Sequence, residues 1–275
     1  MNSFIPKIVG AIINFIGLFS AKYASKLALQ LFSKPRGGIL TPNGRLFLDT
    51  ASKTTLYYNN LEIQTYHWKG SKETVLLAHG WESNSNRWRS EIEKLQTEGY
   101  DIIALDGPAH GASGSDTFNA ILYSEFINVV SQKFKPTVFL GHSVGAMAVI
   151  FFLQKQTYSN VNKIVLLGAP SVFTGIMERY KKMMGYSKTI DKGIDYHIQL
   201  KFGHPPSYFS TANHIKNIEG PGLIFHDKKD PIIPYKDALE IDSQFKNGQL
   251  ISTDGFGHSL KGDFITEEII KFLSH

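Results

Sequence analysis

The chain has 275 residues, enough for one large domain or two small ones. Its 42% hydrophobic and 19% charged side chains exclude intrinsic disorder. Cysteine is absent, so disulfide frameworks, thiolate zinc sites and a cysteine nucleophile are excluded, while the redox compartment stays open. The net charge of +5 is uneven: Lys7, Lys22, Lys26, Lys34, Arg36 and Arg45 all precede the first acidic residue, Asp49. The rest of the chain holds 23 basic against 24 acidic side chains. Nucleic acid is therefore not an expected partner, because the body offers no basic surplus. A leader, or a segment facing an anionic surface, accounts for the charge better.

Residues 4–33 read as helical. Ile5, Ile8, Val9, Ile12, Ile16, Phe19, Tyr23, Leu27 and Leu31 recur at three- and four-residue steps, with Lys7, Asn14, Lys22 and Ser25 on an opposing stripe. The most apolar run, Ile8 to Phe19, is shorter than the roughly 18–20 residues needed to span a bilayer. Three readings stay open: a helix packed on its own body, a peripheral membrane contact through residues 4–33, and a leader or spanning segment. A leader would carry only Lys7 in its n-region and no clear cleavage site near Ser20 and Ala21. A cytoplasmic or membrane-associated location is favoured over secretion. Pro35 ends the region, and 36-RGGILTPNG-44 reads as a linker, so the expected domains are 1–44 and 45–275.

Beyond residue 54 the period changes. Thr54–Tyr58 and Leu61–Trp68 alternate and meet at Asn59-Asn60, which predicts a β-hairpin. Six short apolar runs follow, at 74–80, 100–107, 137–143, 163–170, 222–230 and 248–255. Such near-continuous runs are what strands covered on both faces look like. Helix-length stretches separate most of them, at Trp88–Thr97, Phe118–Phe134, Gly145–Gln156, Tyr235–Phe245 and Thr266–Leu273. This alternation predicts an α/β fold: a doubly wound, mostly parallel sheet of about eight strands with helices on both faces. Residues 171–219 contain no clear strand and many aromatic and Met side chains, which is expected of a helical lid insertion.

The sharpest chemical signal is 141-GHSVG-145, directly after the run 137-TVFL-140 and opening a helix. In that context Ser143 reads as a nucleophile on a strained strand-to-helix turn, which needs small neighbours at 141 and 145. A serine hydroxyl needs a base, and the base an orienting acid. His258, just beyond the last strand, is the favoured base over His197, His204, His214, His226 and His275. Asp230, in the turn after the next-to-last strand, is the favoured acid; Asp227 competes but sits early and reads as a loop cap. The oxyanion donors are expected to be the backbone N–H of Val144 and that of Trp81 in 79-HGW-81. His79 reads as a side chain that bonds the loop. No metal or cofactor motif is found in a suitable context.

Taken together, HGW at 79–81, 106-DGPAHGASG-114, GHSVG at 141–145, HDKKDPIIP at 226–234 and GFGH at 255–258 resemble the α/β-hydrolase superfamily, over residues 60–275. The resemblance implies that the 106–114 loop shapes the site without doing chemistry. Two departures stand out: Asp227, where many members carry Gly, and a single Gly in HGW, which argues against tertiary-alcohol esters. Ser143 argues against dehalogenases and epoxide hydrolases of this fold, which use Asp at the elbow. A carboxylic-ester hydrolase leads, acting on a small-molecule ester or acyl substrate. Thioesterase, peptidase and C–C hydrolase or perhydrolase activity on the same triad are alternatives, and a non-catalytic ligand-binding member is a remote one.

Overall fold

The structure, a computed structural model, describes residues 4–155 and 158–274. In chain order its elements are α1 (Phe4–Phe19), α2 (Ala21–Ser33), α3 (Pro42–Leu48), β1 (Ser52–Tyr58), β2 (Leu61–Trp68), β3 (Thr74–Ala78), α4 (Arg89–Thr97), β4 (Asp101–Leu105), α5 (Ala120–Phe134), β5 (Val138–His142), α6 (Val144–Leu153), β6 (Lys163–Leu167), α7 (Phe173–Met184), α8 (Lys188–Phe202), α9 (Thr211–Ile215), β7 (Gly222–Asp227), α10 (Tyr235–Gln244), β8 (Gly248–Thr253) and α11 (Asp263–Ser274). They form two compact units, Met1–Lys34 with Val172–Ser210, and Pro35–Ser171 with Thr211–His275. This division differs from the one expected. The first break falls at Lys34 and not at residue 44, and most of the 171–219 insertion belongs with the N-terminal helices.

The larger unit holds an eight-stranded sheet in the order β1-β2-β4-β3-β5-β6-β7-β8. β1 and β2 pair antiparallel, β2 pairs antiparallel with β4, and the remaining pairs are parallel. The Asn59-Asn60 turn works because both residues accept positive φ (46° and 64°), as a two-residue type I′ hairpin requires. Part of the expected linker is helical instead: the Thr41 hydroxyl accepts from Gly44 N–H at 3.1 Å, and Pro42 supplies the fixed φ of a first helical position.

Side chains alternate across the strands, so the central parallel strands serve two cores. Val75 and Leu77, Ile102 and Ala104, Val138 and Leu140, and Leu223 and Phe225 join Trp88, Ile92 and Leu95 near α4, and Ile265 and Ile269 of α11, in one cluster. Their neighbours point the other way; Phe139, for example, meets Phe152 of α6 and Tyr158. Two-sided burial explains why these strands lack polar alternation. The sheet order reverses at β3: β4 lies on one side of it and β5 on the other. Crevices for ligands form outside the carboxyl ends of strands at such a switch point.

The smaller unit contains α1, α2, α7 and α8. Instead of one helix over 4–33 there are two, because Ser20 takes an extended conformation and its hydroxyl accepts from Tyr23 N–H at 3.3 Å, capping α2. Small residues let the four helices approach closely. A Cβ at Gly10 would lie 1.7 Å from the Met184 carbonyl oxygen, and one at Gly193 would lie 2.4 Å from Ser25 Oγ. Ala24 and Ala28 are fully buried. Asn14 clasps the α7–α8 turn: its Nδ2 donates to Gly185 O (2.9 Å) and its Oδ1 accepts from Ser187 N–H (2.9 Å). Gly10→Val is expected to cost about 1–3 kcal/mol, since a backbone carbonyl cannot move aside as a side-chain tip can. An unchanged melting temperature would show that α1 does not pack in this way.

Candidate active site

Ser143 stands between β5 and α6 with φ 54° and ψ −124°, a conformation that L-residues adopt only under constraint. The constraint is visible on both sides of it. A Cβ at Gly141 would lie 2.4 Å from Ala146 Cα, and one at Gly145 would lie 2.3 Å from His79 O. Both glycines are thus required for the helix to start against the strands, and Ser143 N–H is held by Leu167 O at 2.8 Å.

The structure brings the three expected side chains together. His258 Nε2 lies 3.0 Å from Ser143 Oγ, and His258 Nδ1 lies 2.7 Å from Asp230 Oδ2. The other oxygen of Asp230 accepts from Ile232 N–H (2.7 Å) and Ile233 N–H (2.9 Å), so the carboxylate cannot rotate away. Burial by itself would raise the Asp230 pKa. The bond to His258, the two backbone donors and the charge of the ring together bring it below the ordinary carboxylate value.

Asp227 does not reach the histidine. It is fully buried and accepts from Thr253 Oγ1 (2.8 Å), Phe256 N–H (2.8 Å) and Lys229 N–H (2.9 Å). It ties the turn that carries Asp230 to the loop that carries His258. These bonds outweigh burial and hold its pKa below the usual range. Among the competing bases, His226 is buried and bonds Ile233 O at 2.9 Å, while His197 bonds Lys22 O at 2.9 Å within the smaller unit. His204 stacks on Tyr208, His214 is buried in α9, and His275 lies outside the described residues.

Val144 is the first residue of α6, so its N–H is one of the helix's leading donors. Trp81 ends the 79–81 loop after β3, and Gly80 brings that loop against the elbow: a Cβ there would lie 3.0 Å from Ser143 Cβ. Two histidines brace the loop. His79 Nδ1 donates to Gly80 O (2.8 Å) while Nε2 accepts from Gly107 N–H (2.8 Å). His110 Nδ1 donates to Pro108 O (2.8 Å) while Nε2 accepts from Glu82 N–H (2.9 Å). Each ring therefore needs one donor and one acceptor nitrogen, which only the neutral form supplies.

Two braces of the loop that carries His258 escaped the sequence reading. His142, inside the elbow motif, lies 2.8 Å through Nε2 from His258 O, and Arg87 donates from Nη2 to Ser259 O at 2.8 Å. Gly168, at φ 58°, passes within 3.4 Å of the His258 ring when given a Cβ. His142 could have been suspected from its place beside the nucleophile. Arg87 and Gly168 carry no local signal.

Burial lowers the pKa of His79 to about 3, and lowers those of His110 and His142 as well. The sign follows directly. The unfolded rings bind protons below about pH 6.5 and the folded ones resist, so stability is full above that value and falls with pH toward the folded pKa values. Each such histidine contributes a slope of about 1.4 kcal/mol per pH unit within the window. Thermal melts should therefore decline below pH 6.5, above the carboxylate range; a flat profile from pH 6.5 to 5 would contradict neutral histidines.

A sequence profile described as alpha/beta hydrolase fold matches residues 73–204. The chain is 24% identical to a protein named putative non-heme chloroperoxidase from Synechocystis sp., over 82% of this chain and 97% of that one. It is 22% identical to a bifunctional esterase/perhydrolase of Acinetobacter calcoaceticus, over 72% and 91%. The solved structure of an esterase from Exiguobacterium antarcticum superimposes with a TM-score of 0.65 at 21% identity, covering 82% of this chain and all of that one. The profile match over residues 73–204, the strand order and the turn at the end of β5 together make the chain similar to α/β-hydrolase-fold proteins.

Proposed function

We propose that the protein hydrolyses carboxylic esters through an acyl-enzyme on Ser143. The observation that carries this reading is the pair of contacts made by one imidazole, Nε2 to Ser143 Oγ at 3.0 Å and Nδ1 to buried Asp230 at 2.7 Å. With Nδ1–H donating to Asp230, Nε2 is the basic nitrogen and faces the serine hydroxyl. Ser143 Oγ attacks the ester carbonyl as His258 takes its proton. The oxyanion is held by the N–H groups of Val144 and Trp81, donors that each contribute about 10²–10³ in rate in such sites. His258 then returns the proton to the departing alcohol, and a water activated by the same nitrogen releases the acid. Asp230 keeps the tautomer and stabilises the imidazolium.

The test is labelling of the protein by a fluorophosphonate together with turnover of p-nitrophenyl acetate. Neither signal in the folded wild-type chain would end this reading. The esterase/perhydrolase relative favours a second one, in which hydrogen peroxide replaces water, takes the acyl group as a peracid and restores the Ser143 hydroxyl. Peracid formed from ester and hydrogen peroxide, dependent on Ser143, would support it.

A further inference from the structure

Helix α1 is apolar on nearly its whole circumference, with Lys7 its only charged residue among 16. A helix of that kind is normally covered on all sides, yet α1 is covered on one side. Pro6, Gly10 and Ile13 are buried, and on the opposite face Ile5, Ile8, Ile12, Phe15, Leu18 and Phe19 are 45–80% exposed. Of the polar stripe, Ser25 is buried against Gly193, and Asn14 bonds the exposed α7–α8 turn. The apolar stripe points away from its own unit.

We infer that this face of α1 is a docking surface for an anionic lipid bilayer, on which the helix lies in the plane of the interface. Charge identifies the occupant. Residues 4–48 contain no acidic side chain, and Lys7 on α1 and Lys22 and Lys26 on the next helix are exposed, which suits contact with an anionic surface. A second copy fits less well, because a two-fold contact on this face would set the lysines of one protomer against those of the other with no carboxylate between them. Spanning does not fit, since no described helix is long and apolar enough to cross a membrane.

The experiment is flotation of the intact chain with phosphatidylcholine vesicles, with and without phosphatidylglycerol, alongside its mass in solution. The wild type should float with the anionic vesicles, less so at high salt. Ile12→Glu/Phe15→Glu should lower partitioning by about 100-fold or more, since two side chains no longer leave water. Lys22→Gln/Lys26→Gln should lower it by about 30-fold and removes no packing. Both variants change exposed side chains, so melting temperature and turnover of a soluble ester should stay at wild-type values. Deleting the segment is the poorer test, because it would uncover the small-residue contacts of α7 and α8. The inference is overturned if the wild type floats with neither vesicle, if both variants float as it does, or if the wild type is a dimer that Ile12→Glu/Phe15→Glu makes monomeric.

Discussion

Ser143→Ala and His258→Ala are each expected to reduce ester turnover by about 10⁶-fold, with the melting temperature close to that of the wild type. Members of a triad act as a unit, so losing either partner costs nearly as much as losing both. The double variant should accordingly be no slower than either single one. A residual rate of about 10³–10⁴ over water would persist if the Val144 and Trp81 N–H groups still bind the oxyanion. Steady-state kinetics with p-nitrophenyl acetate decide the matter. Wild-type turnover in Ser143→Ala would remove Ser143 from the chemistry.

The second large effect separates two aspartates three residues apart. Asp230→Asn should lower kcat by about 10⁴, on the precedent of triads whose acid is neutralised. The reason lies in which oxygen does what. Oδ1 accepts from Ile232 and Ile233, so an Asn would keep its carbonyl there and turn its NH₂ toward His258. That group cannot accept from Nδ1–H. The ring would move its proton to Nε2 and could no longer take one from Ser143. Asp227→Asn should act on folding instead. Its Oδ2 accepts from Phe256 N–H and Thr253 Oγ1, and an NH₂ facing Phe256 N–H leaves two buried donors opposed. The expected cost is about 1–3 kcal/mol of stability with a modest change in kcat. A larger kinetic loss in Asp227→Asn than in Asp230→Asn would reverse the assignment.

What the sequence determined by itself is what short-range chemistry writes into it. The strands are legible because two-sided burial leaves continuous apolar runs, and the hairpin because Asn-Asn tolerates positive φ at both positions. Ser143 is legible because the tight turn it occupies demands Gly141 and Gly145, two residues to either side, and Asp230 and His258 because each lies within a few residues of the end of its strand. Tertiary structure decided the rest. Position after the strand already favoured Asp230 over Asp227, but what Asp227 bonds is tertiary: its Oδ2 accepts from Thr253 and Phe256, residues of another strand and loop. Arg87 reaches Ser259 across 172 positions of sequence, a contact that no local pattern encodes. Periodicity located the two faces of α1 but not which one would be covered. That choice fell to backbone groups at Met184, Gly185 and Ser187, whose close approach needs Gly10 and whose hydrogen bonds need Asn14. Hydrogen bonding the α7–α8 turn and packing backbone on backbone outweighed hiding the more apolar stripe, and a hydrophobicity pattern carries no record of either.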